Sequence, residues 1–219
     1  MTTLHQHPVL AAVSQRVDDH PDRHERRDAL DQALVRLLAA LGITPLPVPN
    51  SLTALDRGGI NIDAWLERTR PDVLVLSGGN NIGANSERDS TECYLLDWAY
   101  AHRAPVLGIC RGMQMMAHWA SAPLKEVSGH VKTRHRLVTE GTNADDWPDV
   151  VNSFHRQAVA ACPKDFEITA RGDDGSIEAI RHRTHPWEGW MWHPEREQPF
   201  SQTDMARLRA LFFTTTERT

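Results

Sequence analysis

The sequence has few cysteines, no excess of basic charge and no long hydrophobic run, and each absence excludes a class of protein. Three cysteines in 219 residues are too few and too widely spaced for a disulfide framework, which favours a reducing cytoplasm. A net charge of −5 does not predict the basic face of a nucleic-acid-binding protein. No apolar run approaches the roughly 20 residues that span a bilayer, and the N-terminus lacks the pattern of a signal peptide. We therefore expect a cytoplasmic protein without nucleic-acid or membrane partners.

Apolar strands and helices alternate along the first 120 residues. Predicted strands lie at 9–13, 43–48, 72–76 and 105–109, and predicted helices at 25–41, 90–102 and 111–120. Ser90 is a candidate N-cap, and the dense charge cluster at 18–31 is interpreted as the solvated surface of a helix. This alternation predicts an α/β protein with a doubly wound, mostly parallel sheet.

The pattern changes in the second half of the chain. Short apolar runs separated by turn residues lie at 136–139, 150–154, 166–170, 176–180 and 189–192, and a closing helix is predicted at 203–213. These runs indicate strands and hairpins with little helix, hence a β-rich elaboration of the sheet. Neither a repeat nor a low-complexity linker divides the sequence, so we predict one domain over residues 1–219.

A Gly-x-Cys-x-Gly motif at 108–112 follows the apolar run at 106–109 and precedes helix-forming residues. This arrangement is typical of a nucleophile elbow, with Cys110 as the nucleophile. The turn is so tight that side chains at Gly108 and Gly112 would clash. The helix N-terminus would favour the thiolate of Cys110. The alternative is a cysteine buried in an α/β core.

A His-x-Glu pair near the C-terminus supplies a candidate base. In an extended backbone, residues i and i+2 point to the same face, so Glu195 would orient His193 toward Cys110. The alternative is a surface pair without a role. The chain lacks the downstream Pro-Cys-x-x-Cys of a zinc deaminase and the His-Glu-x-x-His of a metalloprotease. Its 12 histidines form no recognisable ligand set, so we predict neither a metal nor a cofactor.

An acyl-transfer site also needs donors for an oxyanion. We expect the backbone N–H of Arg111 to be one donor and that of Gly79, in the glycine-rich turn at 77–81, to be the other. Both turns follow parallel strands at their carboxyl ends. The alternative is an ordinary strand-to-helix loop or a weak phosphate-binding loop, although the Lys-Ser/Thr of a P-loop is absent.

Together these motifs resemble the class I glutamine amidotransferase family, over about residues 8–213. The segments that carry the resemblance are Ser77-Gly78-Gly79, residues 108–114 and His193-Pro194-Glu195. The segment at 151–157 resembles the γ-glutamyl hydrolase (peptidase C26) branch. The resemblance implies a flavodoxin-like fold and a free-standing enzyme that cleaves the γ-glutamyl amide bond of a small molecule through a glutamyl thioester.

The resemblance also implies a role for each matching residue. Cys110 would be the nucleophile, His193 the base and Glu195 its orienting group, a Cys-His-Glu triad. The implied oxyanion and substrate contacts are Gly78, Gly79, Asn80, Arg111, Gln114, Ser153, Phe154 and His155. The chain departs from the branch in one respect, since its members often carry aspartate where Asn80 or Asn81 stands, which puts ligand contacts at that loop in question.

A narrower resemblance, at 14–18, 25–31 and 77–81, is to the γ-glutamyl-CDP-amidate hydrolases of bacterial capsule phosphoramidate synthesis. It implies release of glutamate and cytidine diphosphoramidate, with Arg16 contacting phosphate oxygens. The alternative for 14–31 is a charged helix start and its loop. Two other functions stay open: a glutaminase subunit that passes ammonia to a separate synthetase, and a non-enzymatic binding protein, against which the intact triad argues. The leaving group and the oligomeric state are not determined by the sequence.

Overall fold

The computed structural model describes residues 8–53, 60–140 and 147–213, and most of their strands join one sheet. The strands are β1 Val9–Ser14, β2 Arg16–His20, β3 Glu25–Ala29, β4 Ile43–Val48, β5 Val73–Leu76, β6 Val106–Ile109, β7 Leu124–Glu126, β8 Val131–Thr139, β9 Val150–Phe154, β10 Gln157–Val159, β11 Phe166–Gly172, β12 Ile177–His182 and β13 Trp187–Trp190. The helices are α1 Gln32–Ala40, α2 Ile62–Thr69, α3 Ser86–His102, α4 Arg111–Trp119 and α5 Gln202–Phe213.

The large sheet has nine strands among the described residues, in the order β4-β1-β5-β6-β13-β12-β11-β8-β9. Neighbours are parallel from β4 to β13 and antiparallel from β13 to β9. Strands β5, β6 and β13 are buried along their whole length, as central parallel strands are. The predicted α/β class, with its parallel sheet and β-rich second half, is confirmed.

Individual elements agree with the sequence prediction to different degrees. Strand β4, predicted at 43–48, carries Pro45 and Pro47 and lies at the sheet edge, where proline is tolerated because it cannot donate to a central ladder. Strand β13 begins at Trp187, two residues before the predicted start. Helix α3 begins at Ser86 and not at Ser90, so the prediction of a Ser90 N-cap is wrong; Asn85 precedes the first turn.

The predicted helix at 25–41 is wrong in its first half. Residues Glu25–Ala29 form β3, which pairs antiparallel with β2, so the charge cluster at 18–31 is largely a hairpin. Asp19 and Arg26 are cross-strand neighbours and form an ion pair at 3.0 Å. This ion pair joins two strands and not two turns of a helix. The helix starts only after Asp31, whose carboxylate accepts a hydrogen bond from the Ala33 N–H at 2.8 Å.

Among residues 8–53, 60–140 and 147–213, no helix is both long enough and apolar enough to cross a bilayer. The prediction of a single domain over residues 1–219 stays a prediction.

Candidate active site

The junction between β6 and α4 has the strained geometry expected of a nucleophile elbow. Cys110 has φ 50° and ψ −102°, a conformation that a residue with a side chain rarely adopts. A Cβ on Gly108 would lie 2.7 Å from the Gly112 carbonyl carbon, and one on Gly112 would overlap the Leu76 carbonyl oxygen. The predicted need for both glycines is therefore confirmed.

Cys110 is held between the parallel strands and the start of α4. Its backbone N–H donates to the Trp190 carbonyl of β13 at 2.7 Å, and its own carbonyl accepts from Gln114 N–H at 3.1 Å. The side chain lies at the N-terminus of α4 and the residue is only 7% exposed. This position places the sulfur beside the partial positive charge of a helix N-terminus.

His193 follows β13 and contacts both predicted partners. Its Nδ1 lies 2.6 Å from Glu195 Oε1, and both residues are buried. Burial lowers the pKa of His193, but hydrogen bonds with Cys110 and Glu195 outweigh this and raise it to about 9. A protonated imidazole paired with a carboxylate can stabilise negative charge that develops on a neighbouring sulfur and can later donate a proton.

The backbone between His193 and Glu195 is not the extended strand that the sequence predicted. Residues Pro194–Arg196 form a 3-10 helix after His193. His193 and Glu195 pair as expected, but not for the predicted reason. Pro194 begins a helical turn, so the two residues do not share the face of an extended strand.

Asn152 binds the backbone of His193 on both sides. The sequence analysis did not identify it as a site residue. Its Oδ1 accepts from the His193 N–H at 3.0 Å, and its Nδ2 donates to the His193 carbonyl at 2.8 Å. The same Nδ2 lies 2.7 Å from Glu197 Oε1. Asn152 precedes the predicted contact residues 153–155, which could have drawn attention to it. Its partner His193, however, lies 41 residues away in the sequence.

The glycine-rich turn at 77–81 lies against the imidazole. A Cβ on Gly78 would come within 2.8 Å of His193 Cε1, and Gly79 has φ +133°. Arg88 Nη2 donates to the Ser77 carbonyl at 2.8 Å and the Gly78 carbonyl at 3.0 Å. Because the N–H and C=O of a trans peptide point in opposite directions, the Gly79 N–H points away from Arg88. It is thus free of the buried arginine and available to a ligand.

A buried ion network lies beneath this turn. Arg88 Nε donates to Glu92 Oε1 at 2.9 Å, and Arg111 pairs with both Glu92 and Asp89. Arg111 Nε also donates to the Asn80 carbonyl at 2.8 Å. Burial lowers the pKa of Arg88 to about 10, and burial beside Arg88 lowers that of Arg111 to about 9. Both guanidinium groups stay charged at neutral pH and fix the turn to the elbow.

Asn80 and Arg16 link the hairpin to the same turn. The Asn80 side chain accepts from the Val17 N–H and donates to the Val17 carbonyl, both at 2.9 Å. A Cβ on Gly79 would lie 2.9 Å from Arg16 Cβ. The Arg16 side chain is about half exposed and pairs with Asp18 at 2.7 Å. Asn80 therefore serves the backbone of β2, while Arg16 stands beside the turn.

The remaining predicted contacts separate into two groups. Phe154 is partly exposed and meets the His193 ring edge-on, with centroids 5.7 Å apart, and Gln114 Nε2 donates to the Gln157 carbonyl at 2.7 Å. Ser153 and His155 are buried: Ser153 Oγ donates to the His130 carbonyl at 2.8 Å, and the His155 ring points toward Glu178. Of these four side chains, that of Phe154 contacts a triad residue, and the polar atoms of the other three bind groups outside the triad.

The structure brings together histidines that the sequence analysis dismissed. His130, His135 and Glu178 offer ligand atoms that all lie within 4.8 Å of one another. They come from different strands and their flanks, so no spacing motif in the sequence reveals them.

These geometric features agree with the comparisons to known proteins. The fold matches that of a Thermoplasma acidophilum protein described as a GMP synthase subunit, with a TM-score of 0.69, 22% identity, and coverage of 95% of this chain and 94% of that one. The fold is that of the class I glutamine amidotransferases. Residues 8–195 match the model of the Peptidase C26 family, and the chain belongs to that family of enzymes.

Two curated relatives show how the family varies. A gamma-glutamyl-CDP-amidate hydrolase of Campylobacter jejuni is 27% identical over 198 residues, which cover 86% of this chain and 91% of the relative. A glutamine-hydrolyzing GMP synthase subunit of Methanothrix thermoacetophila is 33% identical over 128 residues, which cover 57% of this chain and 67% of the relative. One relative is a hydrolase and the other belongs to a synthase.

Proposed function

We propose that the protein hydrolyses a γ-glutamyl amide bond, with Cys110 as nucleophile, His193 as base and acid, and Glu195 as the group that orients His193. One observation carries this assignment: the strained Cys110 at the elbow interacts with the imidazole of His193, and His193 Nδ1 lies 2.6 Å from the Glu195 carboxylate. These are the three parts that thiol-based acyl transfer requires.

The reaction would proceed through a thioester. His193 takes the thiol proton, and the sulfur attacks the γ-carbonyl carbon. The N–H groups of Gly79 and Arg111 stabilise the oxyanion, each donor contributing about 3 kcal/mol. His193 returns the proton to the leaving nitrogen as the C–N bond breaks. His193 then deprotonates a water, which attacks the thioester and releases glutamate and the Cys110 thiolate.

Contacts around the triad support a place for the glutamyl group. We assign its α-amino and α-carboxylate groups to the region of Gln114 and the backbone at 153–155, since Phe154 adjoins His193 and Gln114 binds the Gln157 carbonyl. Gly78 and Asn80 would shape the opposite wall. None of these steps requires a cofactor.

Replacing the nucleophile is the decisive test. Cys110→Ala should abolish turnover, while Cys162→Ala, at an exposed cysteine, should leave it unchanged. Mass spectrometry of quenched wild-type reactions should find a glutamyl adduct on Cys110 alone. A Cys110→Ala protein that still turns over substrate would refute the assignment.

We propose a phosphorylated leaving group, as in γ-glutamyl-CDP-amidate, and hence a role in capsule synthesis. Similarity to a named hydrolase of that compound supports this, as does Arg16 beside Gly79. A second basic surface adjoins Phe154: a cleft of about 480 Å³ lined in part by Lys132, Arg134 and Arg196.

Substrate comparison distinguishes the two basic surfaces. Arg16→Gln should raise KM for γ-glutamyl-CDP-amidate and leave KM for glutamine unchanged, with Arg23→Gln in the exposed hairpin turn as control. If Arg196→Gln produces that selective effect and Arg16→Gln does not, the leaving group lies in the Phe154 cleft instead.

The second candidate is a glutaminase subunit with a separate synthetase partner, which the similarity to GMP synthase subunits supports. A hydrolase should act alone on glutamine, a γ-glutamyl peptide or γ-glutamyl-CDP-amidate. A partner-dependent subunit should be nearly idle on all three until the synthetase is added. Either activity fits a reducing cytoplasm, because Cys110 must stay a free thiol.

A further inference from the structure

Four buried polar atoms outside the triad lack hydrogen-bond partners in the described part of the chain and face one another. They are His130 Nδ1, His135 Nε2, His155 Nε2 and Glu178 Oε2. The nearest Glu178 oxygen lies 3.9 Å from the first nitrogen, 3.3 Å from the second and 3.6 Å from the third. Glu178 is fully buried. We call these four residues the histidine cluster.

The outer nitrogens of two rings are already engaged. His130 Nε2 lies 2.9 Å from Asp174 Oδ2, and His155 Nδ1 lies 3.0 Å from the Gln157 carbonyl oxygen. A carbonyl or carboxylate oxygen only accepts, so each of these nitrogens carries the hydrogen. In neutral rings, the inner nitrogens then present lone pairs to a carboxylate. Such an arrangement is repulsive unless a ring takes a second proton or a cation lies between them, and it is how metal-binding histidines are oriented.

The end of β11 creates the space in which these side chains meet. Strand β11 separates β12, which carries Glu178, from β8, which carries His135. Its pairing with β8 ends at Gly172 opposite Leu137, before His135 is reached. A Cβ on Gly172 would lie 2.8 Å from Ser176 Oγ and 3.8 Å from Glu178 Cγ. The short strand and its glycine terminus let residues from nonadjacent strands converge.

We propose that the histidine cluster binds a divalent transition-metal ion, Zn²⁺, through His130 Nδ1, His135 Nε2 and the Glu178 carboxylate, with His155 Nε2 as fourth ligand. Ligand atoms around a tetrahedral zinc stand about 3.3 Å apart, given bonds of about 2.0–2.1 Å. The Glu178 oxygens lie 3.3–3.9 Å from the three nitrogens, and the ligand atoms of His130, His135 and Glu178 all lie within 4.8 Å of one another. His155 Nε2 lies outside that group and would have to move closer to bind. A set of imidazoles with one carboxylate suits zinc better than calcium or magnesium.

The position of the site indicates a structural role. His130, His155 and Glu178 are buried and the His135 side chain is 9% exposed, so four protein ligands would leave the ion no open position for a substrate. The His130 carbonyl accepts from Ser153 Oγ at 2.8 Å and from the His155 N–H at 3.0 Å. The ion would fix the segment at 152–157, whose first residue braces His193. This inference does not depend on the proposed hydrolase activity.

Metal loading of the untagged full chain tests the proposal directly. Chelator-treated protein is incubated with Zn²⁺ or Co²⁺ and then desalted. We expect about one zinc per chain by elemental analysis and the visible absorption bands of tetrahedral Co²⁺. Zinc should also raise the thermal unfolding midpoint, since a ligand that binds only the folded state stabilises it.

Variants identify the ligands. Glu178→Gln and His135→Gln should each weaken Co²⁺ binding by at least about 10-fold, whereas His118→Gln, at an exposed histidine of α4, should not. If Glu178→Gln fails to fold, Asp174→Asn removes an outer contact at a half-exposed carboxylate and should still weaken binding by about 10–100-fold.

Two results would overturn the proposal. Wild-type protein that retains no metal and shows no tetrahedral cobalt spectrum would make the cluster a network of charged imidazoles and a carboxylate. Equal retention by wild type, Glu178→Gln and His118→Gln would mean adventitious binding elsewhere on the chain.

Discussion

Two buried polar groups lie behind the candidate active site, and they are built differently. Under the turn at 77–81, Arg88 and Arg111 share Glu92 and also bind backbone carbonyls. Under the segment at 152–157, the histidine cluster leaves four polar atoms without partners among the described residues. In the first group each guanidinium pairs with a carboxylate, whereas in the second group three imidazoles converge on one carboxylate.

This difference teaches how to separate a buried framework from a buried binding site. Burying a charge is costly unless it is paired, and Arg88 with Glu92 meets that condition one helical turn apart. Glu178 instead faces nitrogens whose outer hydrogens are already committed. Opposite charges within the first group stabilise one another, whereas the convergence of several imidazole nitrogens on one carboxylate is what led us to propose a ligand in the second.

Removing the Glu92 carboxylate, which Arg88 and Arg111 share, should destabilise the protein most. Among the described residues, Glu92→Gln leaves buried Arg88 without its paired carboxylate and Arg111 paired with Asp89 alone, so we expect the free energy of unfolding to fall by about 3–5 kcal/mol. Urea denaturation measures this. Glu87→Gln is the matched control, because Glu87 pairs with Arg26 at a partly exposed site and its loss should cost less than about 1 kcal/mol. Similar losses in both variants would contradict a special role for the buried network.

The parallel half of the sheet could be predicted because its signals are local. Continuous apolar runs predict β5 and β6, and the glycines flanking Cys110 predict the elbow. Each feature depends on a few consecutive residues and on rules for single elements.

The failures involve contacts between distant residues. The sequence predicted one helix over 25–41, but its first half is part of a hairpin. Residues distant in sequence hold this hairpin: Asp28 accepts from the Asn50 N–H at 2.9 Å, and Arg26 donates to Asn85 Oδ1. Strand β2 is likewise held by Asn80, 63 residues away. The histidine cluster draws on β8, β12 and the end of β9. Local periodicity contains no information on such tertiary partners.

The triad between the two groups provides a sharper test through pH. Its partners raise the pKa of His193 to about 9, against an ordinary value of 6.5. The folded state therefore holds this proton more tightly than the unfolded chain. The resulting stabilisation, up to about 3 kcal/mol, is fully present below pH 6.5 and is lost as pH rises to about 9.

Comparing wild type with His193→Gln isolates this effect from other titrating groups. We expect the difference in the free energy of unfolding to be larger in favour of wild type at pH 6 than at pH 9.5, by denaturant titration. Glu195→Gln removes one of the acidic partners of His193. In that background, the effect of His193→Gln on the free energy of unfolding should depend less on pH. A difference that does not vary with pH would mean that His193 is not held as an imidazolium.

The smallest effect is expected where the segment at 152–157 meets the triad. Asn152→Ala leaves the His193 N–H and carbonyl without this partner, which should cost about 1–3 kcal/mol of stability and lower kcat because the imidazole loses its brace. Asn61→Ala is the matched control: it removes the cap of α2, where Asn61 Oδ1 accepts from the Ala64 N–H, at a cost of about 1 kcal/mol. Since α2 contributes no predicted catalytic residue, its kcat should not change. If both variants lose stability and neither loses kcat, Asn152 supports the fold without positioning His193.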